Sequence, residues 1–407
     1  MILKKISEKE YNSFVSKNEY HSFYQSIEWM NIKEKEGKKC ELLGLFDNDK
    51  LVGASLVIYI RALRNNYIAY ASRGFLYDYS NIRDFKKALE EYFSNKNIIM
   101  VKIDPPVILA TYDKDLKKTE YKDNEKLINN LKENGFVHFG YNMANEAYQF
   151  RFVHRIDLVD TFDKQKELMT KSTVKNIDKA LFMGVKIKEV DKDNLDEVLK
   201  CFEYTEERKH FKGLSKAFYE SLKDEYKDNC IFYLVYIDKD EYLTNIKNKM
   251  QDIKKEHEKL VIEMSRVNVG KKLLTKQEQL HLSYTKLENE LEKYKDIPDN
   301  EIIASMVTIT KYDEVVSLSS GMNDKYREFC PKYIMYPEMI KKAIEQKIKY
   351  VNFLGVKNIF DKNDVNHGVY EVKRGFGGQT IEYIGEFDLP INKLLYKLYK
   401  LKSKIKK

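Results

Sequence analysis

A segment with heptad spacing interrupts the chain between residues 241 and 297. Its apolar positions recur at alternating gaps of three and four residues, first from Leu243 to Val267 and then from Leu273 to Tyr294, with a turn around Gly270. Such spacing is typical of helices that pack through a continuous apolar seam. We therefore predict an antiparallel coiled-coil hairpin whose arms are about 36 Å long at 1.5 Å per residue. Polar residues elsewhere in the segment favour a projecting arm, and a hairpin packed onto the body is the alternative.

Strand and helix patterns alternate on both sides of this hairpin, which predicts an α/β protein. Two similar units precede the hairpin in tandem, and the alternation resumes after Pro298, so the hairpin interrupts the second unit. We predict a helix from Ile82 to Phe93 and another from Lys166 to Met183, closed by Gly184. The length of 407 residues is enough for two or three domains.

The stretch GVYEVKRGFGGQTIEY, which begins at Gly368, is interpreted as two strands joined by a glycine-rich turn at residues 375–378. A phosphate-binding loop is disfavoured, because no helix follows the glycines to supply amides for an anion. The stretch also raises the question of whether Lys373 has a chemical role.

The charge of the chain restricts its partners. The formal net charge of +8 arises from 72 basic and 64 acidic residues, and seven of the lysines lie in residues 393–407, which contain no acidic residue. The body is therefore nearly neutral, which excludes a globally basic nucleic-acid binder and leaves local patches. One such patch is the stripe of Lys171, Lys175 and Lys179, which would either meet a nucleic-acid backbone or face solvent.

The C-terminal lysines belong to a predicted amphipathic helix. Its apolar positions are Leu394, Leu395, Leu398, Leu401 and Ile405. Such a helix either lies on an anionic membrane leaflet, where each lysine contributes about 1 kcal/mol, or caps the protein with a solvated end.

Cysteine and hydropathy patterns indicate the compartment. Cys40, Cys201, Cys230 and Cys330 are scattered singly, without histidines at metal-ligand spacing, so neither a disulfide framework nor a metal site is predicted. The N-terminus lacks the apolar core of a signal peptide, and the longest apolar run is too short to span a bilayer. We expect a cytoplasmic protein, with peripheral contact at the inner face of the cell membrane as an open alternative.

Several stretches, taken in order, resemble the FemABX family of aminoacyl-tRNA-dependent transferases, which build peptidoglycan interpeptide bridges. They are YQSIEWMNIK, YASRGFLYDY, VKIDPPV, YQFRFVHRIDL, STVKNIDKALFMGVKI, CPKYIMYPEMIKKAIEQKIKYVNFLGV and GVYEVKRGFGGQTIEYIGEFDLPINK. The resemblance covers almost the full chain, and it includes a heptad hairpin in the second unit, as in the FemA-like branch.

The resemblance implies two tandem acetyltransferase-like domains and a coiled-coil arm. The first domain is expected at residues 1–152 plus 386–407, so that the C-terminal helix returns to it. The second is expected at residues 153–240 plus 298–385. The arm would comprise residues 241–297, and in the family such an arm is proposed to engage tRNA.

The resemblance also implies a reaction. An amino acid carried as a tRNA ester would be transferred to the side-chain amine of the third stem-peptide residue, on lipid II or UDP-MurNAc-pentapeptide. Because the ester is already activated, amine attack needs orientation and oxyanion stabilisation but no cofactor beyond aminoacyl-tRNA as co-substrate. Two alternatives are a non-catalytic member that binds tRNA or a cell-wall precursor, and an N-acyltransferase that uses acetyl-CoA.

One catalytic residue carries over from the family. Lys373 matches the lysine that precedes the glycine-rich turn, which is assigned to stabilising the oxyanion or the tRNA terminus. The preceding family phenylalanine is Val372 in this chain. The residues expected to bind substrate are Lys33, Asp104, Arg73, Phe218 and Val372, with a tRNA contact at Lys171, Lys175 and Lys179.

Other family positions differ. An arginine and a tyrosine that the nucleotide-substrate branch uses fall near Leu214 and Phe218, and a later tyrosine falls at Ser319. These differences suggest an acceptor unlike the soluble nucleotide precursor, so lipid II is favoured.

Overall fold

The computed structural model describes residues 1–143, 148–267, 269–364 and 367–405. Its first part alternates strands and helices as predicted, and the helix expected from Ile82 to Phe93 is confirmed with those bounds. The elements up to residue 143 are β1 (Ile2–Lys5), α1 (Glu8–Val15), α2 (Ile27–Lys35), β2 (Lys39–Asp47), β3 (Lys50–Arg61), β4 (Tyr67–Ala71), α3 (Ile82–Phe93), β5 (Ile98–Ile103), β6 (Ile108–Tyr112), β7 (Lys118–Glu120), α4 (Lys122–Glu133) and β8 (Val137–His138).

The middle of the chain corrects one prediction. The single helix expected from Lys166 to Met183 is wrong, because the chain breaks before Thr170, whose hydroxyl caps the second of two helices and whose N–H donates to Gly375 O at 2.9 Å. The elements here are β9 (Phe152–Asp157), α5 (Phe162–Glu167), α6 (Lys171–Phe182), β10 (Val185–Val190), α7 (Leu195–Lys209), α8 (Lys216–Tyr226) and β11 (Cys230–Ile237).

The C-terminal part of the chain corrects a second prediction. Residues 367–375 form a helix and not the predicted strand, because Val369, Val372 and Phe376 recur at gaps of three and four and so share one face. The elements are α9 (Lys239–Arg266), α10 (Lys271–Tyr294), β12 (Glu301–Lys311), β13 (Glu314–Met322), α11 (Lys332–Glu345), β14 (Tyr350–Val356), α12 (His367–Gly375), β15 (Gln379–Tyr383), β16 (Phe387–Pro390) and α13 (Lys393–Ile405).

Two mixed sheets organise these elements, which confirms the predicted α/β class with two units. The strand order is β1-β2-β3-β4-β5-β16-β8 in the first sheet and β10-β11-β12-β13-β14-β9-β15-β6-β7 in the second. Each sheet contains a parallel pair, β4 with β5 and β13 with β14, beside antiparallel neighbours. The same local arrangement therefore occurs in both units.

The units exchange strands. β16 joins the first sheet, whereas β6 and β7, from residues 108–120, lie at the edge of the second sheet. The predicted division into 1–152 plus 386–407, 153–240 plus 298–385, and 241–297 stays a prediction. A shared core also joins the units, since Trp29 and Leu56 of the first cluster with Phe218 and Phe232 of the second.

Helices α9 and α10 form the predicted hairpin. Ile246, Ile253 and Leu260 are buried at heptad spacing in α9, and the root of the hairpin packs onto the core of the second unit. Further along α10, Leu274 and Leu282 are 51% and 61% exposed. The root is therefore part of the body, while α10 carries apolar side chains in solvent.

Candidate active site

Strands β13 and β14 pair only briefly before they separate. Their parallel ladder joins residues 314–316 to residues 350–352. Beyond it, β13 has an irregular register between Val307 and Thr308 of its partner β12, and β14 is irregular between Asn352 and Gly355. The separated strands line a pocket of about 250 Å³, which we call the Lys373 pocket. Peptide groups that face such a gap lack their ladder partners and need others.

Lys373 supplies those partners. It extends from α12, which packs against β14, and its Nζ donates to Phe353 O at 2.6 Å and to Gly355 O at 2.8 Å. The side chain is 8% exposed and lines the pocket. The amine is thus fixed by two backbone carbonyls where the strands diverge.

Neighbouring cations act on this amine. Burial, and to a lesser extent the charges of Lys332, Lys209 and Lys357, together lower the pKa of Lys373 to about 7. Burial and nearby cations also lower the pKa of Lys332 to about 8. Lys332 and Lys209 line the same pocket. The group is therefore primed to receive an anion, which would stabilise the charged form of each lysine.

Lys332 and Lys209 were not among the predicted site residues. Lys332 begins α11 and Lys209 ends α7, more than 100 residues apart. They meet only because α7, α11 and α12 border the same strand gap. Tertiary structure alone reveals this cluster.

Lys33 and Phe218, two predicted substrate-binding residues, lie together. Lys33 Nζ is 4.4 Å from the ring centre of Trp29 and 5.2 Å from that of Phe218. Its ammonium also donates to Glu36 Oε1 at 2.9 Å. Next to Phe218, the Tyr219 hydroxyl donates to Ser319 Oγ at 3.0 Å, which connects this group to β13 beside the Lys373 pocket.

Asp104 and Arg73 also lie together. Asp104 is 1% exposed and accepts hydrogen bonds from Arg73 N at 2.6 Å and from the Tyr70 hydroxyl at 3.1 Å. The pKa of Asp104 is raised to about 7, because burial and the charge of Glu386 outweigh the Arg73 charge and the hydrogen bonds from Arg73 and Tyr70. These contacts make Asp104 a support for the Arg73 backbone. The Arg73 guanidinium donates to Phe150 O at 2.6 Å.

The remaining predicted residues, like Lys33, Phe218, Asp104 and Arg73, do not line the Lys373 pocket. Val372 packs against the core of the second unit. On α6, Lys171 and Lys175 are exposed and Lys179 is half-buried. Helix α6 packs against α11 and α12, so the stripe lies on an element adjacent to the one that carries Lys373.

The described part of the chain contains neither a metal-ion cluster nor a membrane-spanning helix. Residues 1–143, 148–267, 269–364 and 367–405 contain no group of three His, Cys, Asp or Glu side chains placed to hold a metal ion. Within the same ranges, no helix combines the length and the apolar character needed to cross a bilayer.

Comparison with known proteins decides the family, since the FemAB family model matches residues 6–404. The chain belongs to the FemAB family. Aminoacyltransferase FemB of Staphylococcus epidermidis is 30% identical over 433 residues, which cover 98% of both chains. Aminoacyltransferase FemA of the same species is 27% identical over 421 residues, which cover 99% of both.

A solved structure agrees with this assignment. The crystal structure of FemX is similar to the chain with a TM-score of 0.73 at 22% identity, over 98% of this chain and 99% of that one. The predicted family and fold are thus confirmed. The chain is an enzyme of the transferase class, an aminoacyltransferase, as its FemAB relatives are named.

The buried lysine predicts how stability depends on pH. Between pH 7 and pH 10 the unfolded chain holds the Lys373 proton more tightly than the folded chain does, so this residue makes the free energy of unfolding rise with pH. Lys373→Met lacks this contribution. We predict that its stability relative to the unsubstituted protein is highest below pH 7 and falls by a few kcal/mol by pH 10.

Urea denaturation at several pH values measures this difference. Met leaves two carbonyls without a donor, which costs about 1–3 kcal/mol each, but this cost does not change with pH. The exposed Lys171→Met variant is the control and should parallel the unsubstituted protein. Parallel curves for Lys373→Met would show that Lys373 has an ordinary pKa.

Proposed function

We propose that the chain transfers an amino acid from aminoacyl-tRNA to the side-chain amine of the third stem-peptide residue of a peptidoglycan precursor, with lipid II as the favoured acceptor, in interpeptide bridge synthesis. The observation that carries the proposal is the Lys373 amine, which two carbonyls hold inside a pocket with other cations. Membership of the FemAB family supports the aminoacyl chemistry.

The reaction needs little from the protein except position and charge. An amine attacks the carbonyl carbon of an activated ester, and negative charge develops on the carbonyl oxygen. A fixed ammonium beside that oxygen stabilises the transition state, and the loss of one such donor costs about 100- to 1000-fold in kcat. Lys373 is the residue to which we assign this role.

The cations around Lys373 suit the end of a tRNA. We propose that the phosphodiesters next to the ester contact Lys332 and Lys209, because phosphates would restore the charged state that burial disfavours. We assign an outer contact to Lys171 and Lys175 on α6. The hairpin is a poorer surface for a polyanion, because α9 and α10 carry acidic and basic side chains in similar numbers.

We assign the acceptor to Lys33 and Arg73, which lie outside the Lys373 pocket. Lys33 beside Trp29 and Phe218 offers an ammonium over aromatic rings, which would bind a phosphate or a sugar face. Arg73, held by Asp104, offers a second cation at the cleft between the units. We propose that Lys33 and Arg73 contact the acceptor directly and that Asp104 acts by holding Arg73.

A transfer assay tests the proposal. With charged tRNA, lipid II and the purified protein, we expect incorporation of a labelled amino acid that ribonuclease abolishes. Lys373→Met should lower kcat by about 100-fold or more while the KM for lipid II changes little, whereas Lys171→Met should retain kcat.

Three results would contradict it. Equal losses in kcat and acceptor affinity would make Lys373 a binding residue. Binding of lipid II without transfer from any charged tRNA would favour a non-catalytic member. Saturable use of acetyl-CoA would favour an N-acyltransferase.

We also propose that α13 contacts the anionic inner leaflet of the membrane, where lipid II resides. The inward side chains of α13 pack on the first sheet, and Tyr396 donates to Asp388 Oδ2 at 3.0 Å. Its outward residues Leu394, Leu398 and Leu401 are 70%, 49% and 60% exposed. Lysines flank them and no acidic residue follows Asp388. An exposed apolar stripe with lysines on either side fits a negatively charged bilayer surface.

Vesicle sedimentation tests this contact. The protein should bind vesicles that contain phosphatidylglycerol, bind phosphatidylcholine vesicles poorly, and dissociate as salt rises. The double variant Leu398→Ser and Leu401→Ser should lose most of the binding, whereas Leu282→Ser on the hairpin should not. Undiminished vesicle binding by the double variant would contradict the proposal. So would a finding that the two substitutions abolish self-association of the protein and leave vesicle binding intact.

A further inference from the structure

A second cavity lies between the two units. Its volume is about 310 Å³, and its walls come from the loop at residues 19–24 and Arg73 of the first unit and from β9, β13 and β14 of the second. Phe150 and Leu354 line both this cavity and the Lys373 pocket. The two spaces therefore share a wall that includes these two residues. We call this space the Glu314 cavity.

Glu314 is held firmly at its wall. It is the first residue of β13 and pairs with Tyr350 at the start of the parallel ladder. Its Oε1 accepts a hydrogen bond from Asn352 Nδ2 at 3.0 Å. The Asn352 amide is itself oriented, because its Oδ1 accepts from Leu354 N at 2.7 Å. Two successive bonds thus fix the carboxylate in the cavity.

Charged and titratable groups surround this carboxylate. The pKa of Glu314 is raised to about 7, because burial and the charge of Asp313, which raise it, outweigh Arg155, the Asn352 hydrogen bond and His21, which lower it. Asp313 in turn pairs with His21 at 2.6 Å. The other charged or titratable groups that line the cavity are Glu19, Tyr20, Tyr24, Arg73, Lys349, Tyr350 and Tyr383.

Glu314 and Lys373 contact β14 at two different points along the strand. Lys373 Nζ binds Phe353 O, three residues after the Tyr350 that pairs with Glu314. At about 3.3 Å per residue this corresponds to roughly 10 Å along β14. An amine in the cavity and an ester in the pocket would meet between these groups.

An amino acceptor arrives in a form that cannot react. An alkyl amine with a pKa of about 10.4 is almost entirely an ammonium ion at neutral pH, and its nitrogen has no free electron pair. The proposed function therefore requires a group that removes one proton before attack. A carboxylate in a cavity between the units also attracts such a cation.

We propose that Glu314 is the proton acceptor for the amino group of the acceptor, which binds as a cation in the Glu314 cavity. The ammonium gives one proton to the Glu314 carboxylate and becomes a neutral amine. The amine nitrogen attacks the ester carbon, the C–N bond forms, and the C–O bond to the ribose breaks. The leaving oxygen takes the second nitrogen proton, and the Glu314 carboxyl later releases its proton to solvent. This inference rests on the proposed aminoacyl transfer.

Glu314→Gln tests the inference, since glutamine keeps the shape and can still accept from Asn352. With lipid II and charged tRNA, we expect kcat/KM at pH 7 to fall by about 100-fold or more. With charged tRNA at saturation, so that its phosphates keep Lys373 protonated, kcat/KM for lipid II should rise with pH through about 7 in the unsubstituted protein as Glu314 ionises. In the variant this limb should be replaced by a rise that continues towards the pKa of the acceptor amine. Glu19→Gln, which removes an exposed charge from the same cavity, should preserve the limb.

A second acceptor separates failure of this inference from failure of the proposed function. Hydroxylamine is neutral at pH 7 and has no proton to lose before attack, so Glu314→Gln should transfer to it as fast as the unsubstituted protein does. If the unsubstituted protein fails to transfer to either acceptor, the proposed function is wrong. If it transfers but Glu314→Gln loses both acceptors equally, or keeps the limb near pH 7, Glu314 is not the proton acceptor.

Discussion

The hydrogen bonds from Lys373 Nζ to Phe353 O and Gly355 O are the interaction on which the site depends. Strands β13 and β14 stop pairing after three residue pairs, and their separation opens the pocket. That separation also leaves β14 carbonyls without strand partners. A lysine from α12 satisfies them and at the same time brings an amine into the pocket. The Lys373 side chain thus both satisfies the β14 backbone carbonyls and supplies the amine of the site.

The same side chain is costly to bury, and the surrounding structure shows how it is held. The charges of three other lysines, Lys332, Lys209 and Lys357, oppose its charge. An isolated buried charge destabilises a fold. A site that binds anions is a place where such a cost is retained, because the ligand supplies the missing charge.

The interlocked units keep the two halves of the site in register. β16 returns to the first sheet, β6 and β7 join the second, and a shared core lies between them. The Glu314 cavity and the Lys373 pocket therefore have common walls drawn from both units.

Periodicity and local residue patterns predicted much of the fold. The hairpin followed from heptad spacing, and the helix at residues 82–93 from its own apolar face. The helix at residues 367–375 was missed, because its aromatic and β-branched residues favour a strand while their spacing favours a helix. The interruption between α5 and α6 was missed because it depends on a hydrogen bond between Thr170 N and Gly375 O, two residues far apart in the sequence.

The site was only partly predictable. Lys373 was identified from a family motif. Lys332 and Lys209 come close to it, and Glu314 lies in the neighbouring cavity, only through tertiary structure. The burial of Asp104 was equally invisible in the sequence, since its partners are an arginine backbone and a tyrosine more than 30 residues away.

The pKa of Lys373 is the most direct test of this account. It can be measured by NMR on protein with labelled lysine side chains, with Lys373→Met to assign the resonance. We predict a pKa of about 7 in the free protein, and a higher pKa when an anionic phosphonate analogue of the tetrahedral intermediate binds. A pKa near the ordinary lysine value of 10.5, unchanged by the analogue, would contradict the account.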